Sequence, residues 1–381
     1  MVRSRYLAVA VGFALVLIFG APFVGGLRGA IVAAFPLRAR AIIGGVVAVA
    51  IAGALITAAA RIRASLRDRR ALRYFALGTA LILGALVARA LSTGDADTDV
   101  VETFHFVEYG VLTLLFYLAW RPLDDVSVLV LPVLAGLLVG TLDEWFQWFI
   151  PSRVGEVRDV ILDGAAVGCG WLFSIGVDPP AHFTLGVRRG SAIRIGAMSV
   201  GVTIVFALFF QVVHLGSAVG DPQIGAFRSR YTRAELESAE RERAERWREA
   251  PLLAVGRVSR EDQYLSEALW HVRRRNQAVS AGDLFTAWRE NRILEIFYAP
   301  VLDMPTYVSR TGFRWPAEQR ADVERRAQDD GRAYVSDAEP YPISVWPKSR
   351  FWTVIALALA LGIGLSVVAN KRSNLGRETH S

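Results

Sequence analysis

One cysteine, Cys169, is all the chain has, so no internal disulfide can form. It lies inside an apolar run and says nothing about redox compartment. Charge is also scarce: 21% of 381 residues are Asp, Glu, Lys or Arg, against about 25% in soluble domains. With 53% hydrophobic residues and a mean hydropathy of +0.34, disorder is excluded. Collagen-like repeats, internal repeats and low-complexity tracts are absent. So are a paired-histidine zinc helix and a nucleophile elbow, which removes two ready-made catalytic readings. What the chain does have is apolar length.

A helix that crosses a bilayer needs roughly 20 mostly apolar residues. Eight stretches qualify: Tyr6–Leu27, Ala41–Ala60, Ala71–Leu91, Thr103–Trp120, Val126–Ile150, Val160–Val177, Ile195–Leu215 and Phe351–Ala369. The first follows Arg3 and Arg5, as a signal peptide would. Its small-residue site near Gly20–Ala21 is followed by Pro22 and more apolar sequence, so it reads as a retained span.

Lys and Arg in short loops resist translocation and set orientation. With the N-terminus inside, fifteen basic residues fall in inner segments, among them Arg61, Arg63, Arg67, Arg69, Arg70 and Arg73, against six in short outer ones. The loop Ser92–Glu102 holds no basic residue and is acidic at Asp95, Asp97, Asp99 and Glu102. Both termini are therefore expected in the cytoplasm and the chain in the plasma (inner) membrane. The long charged segment 217–350 is then extracytoplasmic, since long loops translocate regardless of charge. It holds 22 basic and 21 acidic residues, a net of +1, so the excess positive charge belongs to the membrane part and its inner loops. That charge meets anionic lipid headgroups, and no basic patch remains to bind nucleic acid. Within the segment, Thr232 with Glu235 and Ser259 with Asp262 have capping-box spacing, and helices are expected over Arg233–Glu249, Arg260–Val279 and Asp283–Tyr298. Pro300, Pro305, Pro316, Pro340, Pro342 and Pro347 punctuate an irregular return to the last span.

Ionisable groups at membrane depth are costly and mark candidate sites. On the fourth span, Glu102, Glu108 and Tyr109 share a helix face with His105 at spacings of three and four. Near the end of the fifth, Glu144 and Gln147 share a face and Asp143 is one turn from Gln147. An outer loop runs from Pro151 to Arg158, the sixth opens with Asp159, and Asp163 follows one turn later. The loop arginines alone gather all three clusters into one layer on the outer side. Glu144, six residues before Ile150, would sit about 9 Å below the helix end.

Three readings fit these groups. Carboxylates with an imidazole can hold a divalent cation or do general acid–base work. Arginine beside carboxylates and tryptophans can hold a phosphate or sugar headgroup. A closed ion network, with Arg153 or Arg158 neutralising Glu144, Asp159 or Asp163, needs no ligand. Trp120, Trp145 and Trp148 read as interfacial aromatics, and Gly136 with Gly140, like Gly164, Gly168 and Gly170, as close helix contacts.

His105-Phe-Val-Glu-Tyr-Gly110, Glu144-Trp-Phe-Gln147, Pro151-Ser-Arg153 and Arg158-Asp159-Val-Ile-Leu-Asp163 together resemble the VanZ-like family, over about residues 71–177. The matching positions are His105, Tyr109, Gly110, Glu144, Gln147, Arg153 and Asp159; Asp163 stands where many members have asparagine. The resemblance implies a multi-pass membrane protein of a family whose name-giving member confers low-level teicoplanin resistance. It supplies no reaction.

The expected fold is all-α: a transmembrane bundle of about eight spans with an extracytoplasmic helical domain between the last two. Five regions follow: 1–70, a two-helix segment; 71–177, the VanZ-like domain; 178–216, a cytoplasmic loop and the seventh span; 217–350, the outer domain; and 351–381, the last span and tail. The leading reading is a non-catalytic envelope protein that binds or shields a lipid-linked or headgroup ligand through His105, Tyr109, Glu144, Gln147, Arg153, Asp159 and Asp163. Its expected partners are membrane lipids and a lipid-linked cell-wall precursor. No cofactor is required, although Asp159 and Asp163 could hold a divalent cation. The rivals are a membrane enzyme with His105 or Glu144 as base, and a structural module.

Overall fold

The computed structural model describes residues 3–65, 69–151, 153, 155–180, 182–222, 224–327, 334–337 and 342–378, with only the backbone for 262 and 364–378. Arg67, Ser152 and Pro340 lie outside the described residues. The chain divides into two compact units, one of residues 1–147, 157–208 and 353–381, the other of residues 148–156 and 209–352.

Among the described residues, the regular elements of the first unit are all helices. In chain order it contains α1 (Ser4–Ala34), α2 (Ala39–Ala64), α3 (Arg70–Ala90), the short α4 (Ala96–Glu102), α5 (Phe104–Trp120), α6 (Ser127–Gln147), α7 (Val157–Val177) and most of α8 (Arg189–Val213). Among the described residues, seven helices are long and apolar enough to cross a membrane, with α4 and α5 forming one continuous candidate. The eighth expected span lies within a further long helix, Lys348–Glu378, which is not among those seven. Large apolar side chains such as Phe19, Phe23, Val49, Phe75 and Ile82 are exposed. In a bilayer, lipid covers such faces, since lipid tails are as apolar as leucine.

Small residues decide which helices are central. A Cβ on Gly170 of α7 would stand 2.7 Å from the Cα of Gly110 on α5, so the two backbones touch. On the other side, a Cβ on Gly136 of α6 would meet Val167 of α7 at 2.6 Å. With bare backbone at both crossings, α5, α6 and α7 close on one another around Tyr109, Leu112, Phe116, Leu131, Val139 and Val167. Trp120 belongs to this core: it is 8% exposed and stacks on Phe116 at 5.4 Å, which corrects its reading as an interfacial aromatic.

The fifth expected span also stops early. The α6 helix ends at Gln147 rather than Ile150, which puts Glu144 about 4.5 Å below its end at 1.5 Å per residue. The cause is a turn within the second unit. The Trp148 carbonyl accepts the Gln263 side chain, the Phe149 carbonyl accepts the Ser259 N–H at 2.7 Å, and the Ile150 carbonyl accepts Arg153 N–H at 3.0 Å. Trp148 is 6% exposed, edge-on to Phe149 and 5.5 Å from the Arg230 guanidinium, so it too is a packed residue.

The second unit contains β1 (Leu215–Asp221), β2 (Gly225–Ser229), α9 (Arg233–Glu249), α10 (Asp262–Ala281), α11 (Leu284–Phe297), α12 (Ala299–Asp303), α13 (Ala317–Arg326), β3 (Val335–Asp337) and β4 (Ser344–Val345), and the chain continues into α14 (Lys348–Glu378). The four strands, in the order β3-β2-β1-β4, were not expected. An antiparallel β1–β2 hairpin pairs Ser217 with Ser229, and β3 and β4 add to it in parallel. Thr232 and Glu235 form the expected capping box on α9. Ser259 does not cap α10: its Oγ accepts the Glu261 N–H, its own N–H is taken by Phe149, and the helix begins at Asp262. Phe227, Trp247, Tyr264, Leu294, Phe297 and Tyr298 centre the core. Beside it, buried Glu290 accepts His271 Nδ1 at 2.7 Å, Ser336 Oγ at 2.6 Å, Arg274 at 3.1 Å and the Tyr334 hydroxyl. Burial pushes this carboxyl up, but the His271 charge and the hydrogen bonds outweigh it and hold Glu290 below the ordinary value.

Candidate functional site

The site lies among α4, α5, α6 and α7 of the first unit and has two levels. At the rim, Asp95 caps α4 through the N–H groups of Asp97 and Thr98, and the chain restarts as α5 at Phe104. Glu102 closes α4 and accepts both arms of the Arg158 guanidinium, at 2.8 and 2.9 Å. Arg158 also bonds Asp159 at 2.9 Å and the Leu91 carbonyl. A planar fork held this way is an oriented cation rather than a swinging one. All three side chains keep partial exposure, 17–25%.

Below the rim the groups are enclosed. His105 Nδ1 pairs with Asp163 Oδ1 at 2.6 Å, joining α5 to α7. The Tyr109 ring, parallel to the His105 ring at 6.1 Å, directs its hydroxyl to Asp143 Oδ2 at 3.0 Å, joining α5 to α6. Gln147 donates to Asp143 Oδ2 and Glu144 Oε1, both at 3.2 Å. Glu144 is 0%, Asp163 1% and Asp143 6% exposed. One carboxylate oxygen from each lies within 4.8 Å of the others. Like charges at that distance repel by about 3 kcal/mol per pair at an effective dielectric near 20. Such a cluster favours a cation or a bound proton.

These distances follow from one missing methyl group. A Cβ on Gly140 of α6 would stand 2.9 Å from both Cβ and Oδ2 of Asp163, so glycine there lets the α7 carboxylate reach the α6 pair.

Six of the seven expected ligand residues lie in this unit. His105, Tyr109, Glu144, Gln147 and Asp163 come together below the rim, whereas Asp159 is held at the rim by Arg158. Asp163 therefore groups with Asp143 and Glu144, not with Asp159 as the expected cation pair had it. Arg153 belongs to the 148–156 segment of the second unit. Asp143 was absent from the expected set, although its one-turn spacing to Gln147 marked it.

A second feature left no trace in the motifs. An apolar cavity of about 490 Å³ runs along α5 from Thr103 through Phe106 and Gly110 to Leu114, with walls from Ala54 of α2, Leu81 and Gly84 of α3, and Cys169 and Phe173 of α7. Its Thr103 end is one residue from Glu102 and two from His105.

No curated protein and no solved structure matches the chain. A family model does, and it begins earlier than the resemblance at 71–177: it takes in most of α2, whose Ala58 and Ile62 pack on Leu77 and Val177. That model, described as VanZ/LLP1, covers residues 46–177, about a third of the chain, and Asp143, Glu144 and Asp163 all fall inside the segment it matches in this multi-pass helical protein.

Proposed function

We propose that this protein binds a lipid or lipid-linked envelope molecule, with the acyl chain in the apolar cavity and the polar head at the Glu102–Arg158–Asp159 rim. The observation that carries the reading is the cavity itself. Its volume of about 490 Å³ lies within the ligand-pocket range of about 300–1,000 Å³. Its lining is apolar almost throughout, and its Thr103 end follows Glu102 directly in the chain. An apolar cavity that ends next in the chain to a residue of the charged rim suits an amphiphile. The arginine distribution supports an outer-leaflet site in the plasma membrane, with cytoplasmic termini and an extracytoplasmic 217–350 segment. At that face a lipid-linked cell-wall precursor would connect binding, or shielding, to the glycopeptide resistance for which VanZ is named.

The structural reading has its own support, since Arg158 is bonded to Glu102, Asp159 and Leu91. Native mass spectrometry of gently purified protein separates the two, comparing wild type with Gly84→Leu. A Cβ at Gly84 meets only ordinary contacts, 3.5 Å from Phe106 and 3.7 Å from Cys169, so the leucine fills the cavity without forcing helices apart. A defined lipid retained by wild type and lost from an equally stable variant is expected. The same bulk phospholipid on both would refute lipid binding in the cavity.

A further inference from the structure

We infer that Asp143, Glu144 and Asp163 form a binding site for one hard divalent cation of the magnesium, calcium and manganese class. Hard cations of this class take oxygen donors, and carboxylates above all. Two oxygens on opposite sides of a calcium ion stand about 4.6–5.2 Å apart at 2.3–2.6 Å per bond. Three carboxylate oxygens within 4.8 Å of one another can therefore surround one ion.

Two further observations point to a ligand. Oδ2 of Asp163 is buried in a residue 1% exposed and accepts no hydrogen bond among the described residues, while Oδ1 is held by His105. Buried polar atoms are ordinarily satisfied, so an oxygen in that state can take a cation. The absent Cβ of Gly140 leaves the space this oxygen points into, 2.9 Å from where a methyl would stand. The surrounding donors have the roles of a second coordination shell: His105 orients Asp163, Tyr109 orients Asp143, and Gln147 spans Asp143 and Glu144. An ion enters past His105, whose side chain is 17% exposed, from a rim that already carries Glu102 and Asp159. A cation beneath that rim raises the site's affinity for a phosphate-bearing head. The ion site nevertheless stands on its own residues and not on the lipid.

The test is Mn²⁺ titration of the EDTA-treated, detergent-purified full chain. Electron paramagnetic resonance reads free Mn²⁺, and thermal unfolding is measured in parallel. One Mn²⁺ per chain, displaced by Ca²⁺ or Mg²⁺ and raising the unfolding temperature, is expected, with at least tenfold weaker binding in Asp163→Asn. Gly140→Ala, which crowds Asp163 without removing a carboxylate, weakens binding in the same direction and serves if Asp163→Asn does not fold. Asp159→Asn retains the ion. No saturable Mn²⁺ on folded wild type, with an unfolding temperature indifferent to divalent ions, overturns the inference in favour of protonated carboxylates. So does equal affinity in wild type, Asp163→Asn and Gly140→Ala. Lipid retained without Mn²⁺ refutes the ion alone, and Mn²⁺ bound without a specific lipid refutes the lipid alone.

Discussion

The contact between Gly170 and Gly110 sets up a test in which the same substitution has opposite signs at two places. In Gly170→Ala, the new methyl would stand 2.7 Å from Cα and 2.9 Å from the carbonyl oxygen of Gly110, and 3.1 Å from Cβ of Thr113. Carbon atoms rest about 3.5–4.0 Å apart, so α5 and α7 must separate by about 1 Å. Neither obstacle at Gly110 is a side chain that can turn away. Forced overpacking costs about 1–3 kcal/mol, and alanine recovers about 0.5–1 kcal/mol of helix stability over glycine. Mid-range values leave a net destabilisation of about 1 kcal/mol, and the extremes reach about 2.5 kcal/mol. Gly78→Ala on α3, with nothing within 4 Å of its added methyl, keeps only the helix term and stabilises by up to about 1 kcal/mol. Cys169 supplies the assay. As the chain's one thiol, half-buried and donating to the Ala80 carbonyl at 3.3 Å, it reacts with a thiol-sensitive fluorophore as the helices part. Tryptophan fluorescence checks the same transition independently of residue 169. Should Gly170→Ala unfold at or above the wild-type temperature, the backbone contact inferred at this crossing is wrong.

Two more outcomes are expected. Glu290→Gln weakens the second unit by about 1.5–3 kcal/mol at neutral pH through loss of charge-assisted hydrogen bonds. Because the Glu290 carboxyl is held below its ordinary 4.5 in the fold, its contribution is full above that pH and disappears as pH falls through the lower folded value. Thermal unfolding across the acid range should therefore show a steeper wild-type decline than the variant's, and parallel curves would remove Glu290 from the acid limb. For orientation, Ser92→Cys in a Cys169→Ala background should label with an impermeant thiol reagent on intact cells, after outer-membrane permeabilisation where needed. Labelling only after lysis reverses the topology and moves the rim to the cytoplasm.

Relations within one helix were readable from the chain because helical twist and rise are fixed. The face shared by His105 and Tyr109 and the Asp143–Gln147 hydrogen bond both follow from spacings of four. Span positions followed from apolar length, and the Thr232–Glu235 cap from a local motif. Errors arose where a distant segment decided a local outcome. Trp148, Phe149 and Ile150 extend the hydropathy of α6, yet the helix stops before them because Ser259 and Gln263 take the carbonyls of Phe149 and Trp148. Trp120 has an interfacial composition but packs inward on Phe116. The strands were missed for a similar reason. Leu215–Asp221 shows no period of two, and β3 and β4, of three and two residues, exist only through pairing with segments more than a hundred residues away.

By itself, then, the sequence determined a multi-pass helical protein and the residues expensive enough at membrane depth to mark a site. Apolar length and buried charge are properties of short windows. Only the tertiary structure decided that Asp163 joins Asp143 and Glu144 while Asp159 goes to Arg158, and that a cavity runs along α5. Those outcomes depend on how closely two helices approach, and at Gly140 and Gly170 that distance is set by the absence of a methyl group opposite a neighbour that no local pattern identifies.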